Sequence, residues 1–193
     1  MTEAQYLEFE KNAEVRHEFE DGVLWAISGG KLKHNEIVFN IKAALVGAAY
    51  PRGCRISSEN MKVQTGTRYY YPDVAVTCEP ISLESDTLHA PCAVFEVLSP
   101  STESRNLGVK FRAYTLLIPS LEQYFLVSSD FQMVEVYTRA SGGIWSYQRF
   151  SLEENVGQSI PVRCLNTTLT FEQIYLYLPM NVNVLEDNDT DTF

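Results

Sequence analysis

Apolar positions along this chain change their spacing several times, and each change marks an element. Thr2 is suited to cap a short helix reaching to about residue 16, in which Tyr6, Phe9 and Val15 are loosely periodic. The runs His17-Glu-Phe-Glu20 and Val23-Leu-Trp-Ala-Ile27 flank Asp21-Gly22, a pair that favours the backbone of a two-residue hairpin turn. After Gly29-Gly30, the residues Ile37, Ile41, Ala44, Leu45 and Ala48 recur at helical spacing and predict an amphipathic helix over 34–49, ended by Pro51-Arg-Gly53. Alternation over 61–65, a turn at Gly66 and an extended run over 69–78 predict a second hairpin.

A polar loop over 79–91 leads into Cys92-Ala-Val-Phe-Glu-Val-Leu98, apolar enough to be a central strand. Ser99-Pro-Ser-Thr102 supplies a helix start with Glu103 in its first turn, and Leu107, Phe111, Tyr114 and Ile118 mark a buried stripe bordered by Lys110. Pro119 stops that helix and Gln123–Val127 reads as a strand, so the strand-helix-strand order implies a crossover between parallel neighbours. A hairpin over 133–138 and 145–150, turning at Ser141-Gly-Gly143, and a closing helix over 170–178 complete an α/β class: a mixed sheet flanked by helices.

At 193 residues and 45% hydrophobic content, the chain suits one domain over 1–180. Residues 181–193 hold four acids and no base, and read as a flexible acidic tail. The four cysteines at 54, 78, 92 and 164 form no CxxC pair, and nothing at the N-terminus resembles a signal peptide. They read as reduced thiols of a cytoplasmic protein. A membrane span needs roughly 20 apolar residues in a row, and the chain has no such run. The net charge of −10 disfavours nonspecific coating of nucleic acid, yet Lys31–Arg68 carries seven bases and two acids. That stretch reads either as a phosphate-facing surface or as a solvated face.

The chemistry starts from Glu96. A carboxylate in a buried strand is costly to desolvate unless a metal, a cation or several donors meet it. Asp73 interrupts the similar run Tyr69-Tyr-Tyr-Pro-Asp-Val-Ala-Val76. If the two strands are neighbours, the acids meet and suit a hard divalent ion such as magnesium or manganese; no His/Cys cluster argues for zinc. Lys110 beside them is placed to neutralise charge or position an attacking water. Together these make a hydrolase for phosphodiesters. Each residue also has a plainer reading: turn chemistry after Pro72 for Asp73, a buried ion pair with Lys110 for Glu96, and a snorkelling helix-edge side chain for Lys110. His34, following Lys31-Leu-Lys33, is either an exposed polar cap or a group that touches phosphate or assists proton transfer. Glu18 is either a third acid or a solvent-facing hairpin residue.

The hairpin Glu18-Phe-Glu-Asp-Gly22, then His34, Tyr71-Pro-Asp-Val74, Phe95-Glu-Val-Leu-Ser-Pro-Ser-Thr102, Lys110 with Tyr114, and Gln123-Tyr-Phe125 resemble the Uma-two restriction endonuclease family of the PD-(D/E)XK nuclease superfamily. The resemblance runs in order over 1–178. It implies a restriction-endonuclease-like core, Asp73 and Glu96 as metal ligands, and a homodimer. The superfamily's usual lysine falls at Leu98 here, and Lys110 is similar to the displaced lysine of the Uma-two group. Arg105-Asn106 stands where that family often has an acid, and Phe125 where tryptophan is common. The resulting expectation is a magnesium- or manganese-dependent DNA endonuclease. Its rivals are an inactive dimeric nucleic-acid-binding or interaction module on the same fold, and a metal-dependent phosphatase or nucleotide hydrolase for small substrates.

Overall fold

The computed structural model describes residues 1–27, 29–98, 106–153 and 157–179. Helix α1 (Glu3–Lys11) opens on a reciprocal cap in which Thr2 and Gln5 each bond the other's backbone, as Thr2 predicts. It ends earlier than expected. Tyr6 stacks on Phe19 with ring centroids 4.9 Å apart and donates to the His17 carbonyl, which ties α1 to β1 (His17–Glu20). β1 pairs with β2 (Val23–Ala26) through the predicted turn, where Asp21 and Gly22 have φ of 48° and 89°.

Helix α2 (Leu32–Ala49) starts two residues before the predicted position, capped at Lys31 by no side-chain bond. His34 therefore lies within its first turn and is not a polar cap. The stripe Ile37, Val38, Ile41, Leu45 and Ala49 is buried.

The strands form two main sheets. One has the order β2-β1-β5-β4-β7, using β4 (Lys62–Thr65), β5 (Arg68–Tyr70) and β7 (Thr87–Leu88). The other has the order β11-β10-β9-β8-β6-β3, using β3 (Arg55–Ser58), β6 (Val74–Thr77), β8 (Ala93–Leu98), β9 (Gln123–Ser128), β10 (Met133–Arg139) and β11 (Trp145–Ser151). The second predicted hairpin thus survives as β4 and β5, but the expected single strand over 69–78 is two strands in different sheets. Pro72 is the physical reason: it carries no N–H and fixes φ, so a ladder cannot continue through it. Asp73 stands at this crossing, immediately before β6.

β8 and β9 are parallel, as the crossover requires, and every residue of both is buried. On one face Phe95 and Val97 pack with the α2 stripe. On the other, Val94 and Leu98 pack with Tyr114, Ile118 and Tyr124 beneath α3 (Phe111–Leu117). Glu96 alternates with Val94 and Leu98, so it faces α3. A π-helical turn, Asn106–Lys110, precedes α3. The expected helix start at 99–103, the Leu107 side chain and the acidic tail lie outside the described residues and side chains.

The hairpin β10–β11 is as predicted, whereas the closing helix is only α4 (Phe171–Ile174), capped by Thr170. A small hairpin of β12 (Ile160–Val162) and β13 (Thr167–Leu169) had no sequence signal. Two expectations about cysteine need correction. The antiparallel register that sets Arg55 opposite Thr77 continues to Cys54 opposite Cys78, and these two form a disulfide, leaving Cys92 and Cys164 free. Cys78, Cys92 and Cys164 also converge, although nothing in their spacing shows a cluster. Among the described residues, no helix is long and apolar enough to cross a membrane.

Candidate active site

The two predicted acids are brought together by strand register. β6 and β8 run antiparallel with Val74 opposite Phe95, so the next step sets Asp73 opposite Glu96. With Pro72 interrupting the ladder, the Asp73 side chain takes over the pairing: the Val97 N–H donates to Oδ2 at 2.6 Å. Its other oxygen, Oδ1, lies 3.0 Å from His34 Nε2. His34 reaches it from the first turn of α2, which crosses this end of the sheet.

Glu96 has a separate set of partners. Lys110 Nζ lies 3.2 and 3.3 Å from its two carboxylate oxygens, and the Tyr114 hydroxyl donates from 3.5 Å, one helical turn further on. The same ammonium lies 2.8 Å from Glu18 Oε1, which also accepts from the Tyr71 N–H at 3.3 Å. Glu18 and Glu96 are each 2% exposed and Lys110 is 6% exposed. The snorkelling reading of Lys110 and the solvent-facing reading of Glu18 are therefore both wrong. β1 belongs to the other sheet, so Glu18 arrives from across the molecule and closes a buried Glu18–Lys110–Glu96 triad.

Burial drives the Glu96 carboxyl up to about 8; Lys110 opposes this, while the charges of Asp73 and Glu18 add to it. Burial also works to lower Lys110, but Glu96 and Glu18 overcome it and hold the ammonium charged above its ordinary range. For His34 burial again works downward, and the bond to Asp73 and its charge raise the ring above its usual value. Lys110 thus touches two of the acids, Glu18 and Glu96, while Asp73 is bonded by His34 and the Val97 amide.

His34, Glu59 and Asp73 each offer a donor atom, all within 4.8 Å of one another. Glu59 was missed from sequence. It stands in the exposed loop after β3, where an acid followed by Asn60 has no pattern to separate it from ordinary surface charge. The Tyr114 hydroxyl was also missed, because its helical spacing reads as core. The donors around Asp73, carboxylates with one imidazole, fit a hard or borderline divalent ion.

Behind these groups Glu10, 1% exposed, accepts from the Tyr71 hydroxyl at 2.9 Å and from the His17 N–H at 2.9 Å. This braces the segment leading to Asp73. The basic stretch over 31–68 does not form one phosphate-facing surface. Lys62 is buried against Asp86 at 2.6 Å, and Arg68 bonds both oxygens of Asp21. Lys33 lies 3.4 Å from Asp130, and Lys42 donates to Ser58 beside Glu59.

The mixed sheet carries helices on both faces and sets two acids opposite each other at the end of paired strands. The fold matches a crystal structure described as a putative nuclease from Anabaena variabilis, with a TM-score of 0.74 and 18% identity, covering 90% of this chain and 97% of that one. A model of the Uma2 family, described as "Putative restriction endonuclease", matches residues 3–172. Two proteins of Synechocystis sp. are similar in sequence. The protein slr1290 is 34% identical over 176 residues, covering 86% of this chain and 92% of its own. The protein sll1609 is 30% identical over 150 residues, covering 75% of this chain and 84% of its own. The chain belongs to the Uma2 family.

Proposed function

We propose that this protein is a magnesium- or manganese-dependent endodeoxyribonuclease with its active centre at Asp73, Glu96 and Lys110. The observation that carries this reading is the β6–β8 register, which sets Asp73 opposite Glu96 beside the buried Lys110 ammonium. Asp73 and Glu96 would hold the ion, with His34 and Glu59 on its outer side. A bound divalent ion supplies Lewis acidity and a more acidic water.

The chain's own residues supply orientation and charge. Asp73 is aimed by the Val97 amide and His34, and Glu96 is steered by Tyr114. Lys110 is held by Glu18 as well as by Glu96, and its ammonium would stabilise charge developing on a phosphate or orient the attacking water. His34, raised by Asp73, is a proton donor at the same edge. Lys33 and Lys42, on the helix that carries His34, would contact the DNA backbone, and phosphate-dominated binding weakens steeply with salt.

The family resemblance implies a homodimer, which would bring two such centres to the two DNA strands. Leu32, Phe39 and Val46 are exposed at seven-residue spacing along α2 and offer a surface for the second copy. Sedimentation equilibrium of the wild type and Phe39→Glu tests that arrangement.

The buried Glu18–Lys110–Glu96 triad also favours a second reading, an inactive nucleic-acid-binding or interaction module in which the triad is structural. Calorimetric titration of manganese into wild type, Asp73→Asn and Glu96→Gln, with plasmid nicking by the same proteins, separates the two. Saturable binding and nicking that both disappear in the variants support the nuclease. A folded wild type that binds no manganese and leaves the plasmid intact supports the module.

A further inference from the structure

All four cysteines of the chain come from separate segments and gather at one place. Cys54 precedes β3, Cys78 follows β6, Cys92 precedes β8, and Cys164 sits in the short turn between β12 and β13. The register explains why the first three meet: β3, β6 and β8 are consecutive neighbours, and these residues stand at the same end of them. The Cys92 amide bonds the Val76 carbonyl at 2.7 Å, and its sulfur lies 3.8 Å from that of Cys78. The sulfurs of Cys78, Cys92 and Cys164 all lie within 4.8 Å of one another, and Cys54 is joined to Cys78. This is the opposite end of β6 and β8 from Asp73 and Glu96. Asp73 and Cys78 are five positions apart, a span of roughly 16 Å along an extended chain.

Zinc–thiolate bonds of about 2.3 Å make the sulfur-to-sulfur edge of a tetrahedral site about 3.8 Å. The Cys78–Cys92 pair already has that spacing, and Cys164 is within about an ångström of it. Cys78 is exposed and Cys164 half-buried, so an ion has a way in, while Cys54 and Cys92 are buried and fixed by strand ends.

We propose that this cluster is a redox-gated site for a soft divalent cation such as zinc, closed while Cys54 and Cys78 are bonded and formed when that bond is reduced. Opening it takes two electrons. A phosphine reductant attacks one sulfur and breaks the S–S bond, and water hydrolyses the resulting adduct. The phosphine leaves as its oxide, having taken the oxygen of that water, and both sulfurs end as thiols. The cation then binds four thiolates and releases four protons. The proposal does not depend on the nuclease reading, and its ligands are chemically unlike the oxygen donors around Asp73.

Cobalt(II) titration of the full chain, before and after reduction with a water-soluble phosphine, tests it. The reduced protein should develop intense sulfur-to-cobalt charge transfer in the near ultraviolet and the visible bands of a tetrahedral ion, both saturating at one equivalent bound to the thiolates. The oxidised protein should show neither. Cys164→Ser, at a half-buried position that tolerates a hydroxyl, should weaken cobalt binding at least tenfold and dim the charge transfer, with circular dichroism unchanged. Asp73→Asn should leave that signal intact. A reduced wild type without thiolate charge transfer at excess cobalt would overturn the proposal, as would a spectrum unchanged in Cys164→Ser or equally strong in the oxidised chain.

Discussion

Replacing Lys110 by methionine tests the centre of the site, because its ammonium contacts two buried acids. Lys110 Nζ is 2.8 Å from Glu18 and 3.2 Å from Glu96, and all three side chains are nearly inaccessible. Removing one partner of such a buried group leaves uncompensated charge and costs about 3–5 kcal/mol, and methionine preserves most of the volume. For a chain of this size each kcal/mol moves Tm by about 2–4 °C, so Tm should fall by about 6–20 °C. The loss should depend on pH. At pH 5 Glu96 already holds a proton, since burial lifts it to about 8, and only the Glu18 partnership is lost. At pH 9 both partnerships are lost and the drop is larger. Differential scanning calorimetry of Lys110→Met at the two pH values, beside Lys110→Met/Glu96→Gln, reads this directly. The double variant should regain part of the stability at pH 9. A drop below about 1 kcal/mol, the range of an exposed ion pair, and equal at both pH values, would refute the reasoning.

Four further expectations follow. Manganese must displace the Glu96 proton below pH about 8, so calorimetric affinity should rise about tenfold per pH unit between about pH 6 and 8, a slope that Glu96→Gln should remove. Without metal the sign reverses: between its ordinary value of 4.5 and about 8 the folded chain holds a Glu96 proton that the unfolded chain has released, so this group's contribution to stability declines as pH rises through that window. Urea melts of wild type and Glu96→Gln should converge in their pH dependence if Glu96 is not the source. A Cβ at Gly30 would stand 2.8 Å from the His34 ring, so Gly30→Ala should push the imidazole off Asp73 and lower nicking and manganese affinity while barely changing Tm; unchanged affinity would show that His34 is not held by this contact. Gly22 has a φ of 89° in the β1–β2 turn, and Gly22→Ala should cost about 1 kcal/mol by urea melt, with no loss arguing that the turn relaxes freely.

The resemblance to a restriction-endonuclease family, read from Tyr71-Pro-Asp-Val74 and Phe95–Thr102, agrees with the family match over 3–172 and with the matching fold. Where the residue-level reading failed, it failed for identifiable reasons. Strand periodicity carried 69–78 straight through Pro72, although the proline ends the ladder and sends the chain to a second sheet. For Lys110 and Glu18 the sequence leaves helix edge and hairpin surface open beside the site reading, because a single charged residue carries no sign of the partner that will bury it. The small β12–β13 hairpin has three residues in each strand, too few to show alternation.

Determined by sequence alone were those features whose cause lies within a few neighbours. These are the Thr2 cap, the Asp21-Gly22 turn, the stripe of α2, and the cost of a carboxylate in the apolar run of β8. Contacts between distant segments were decided only by tertiary structure. Strand order and register bring Asp73 across from Glu96, carry Glu18 in from the other sheet to share Lys110, and collect cysteines from four segments at one sheet end. Spacing along the chain encodes local geometry, whereas the energy of a buried charge or thiol depends on which groups the fold sets beside it.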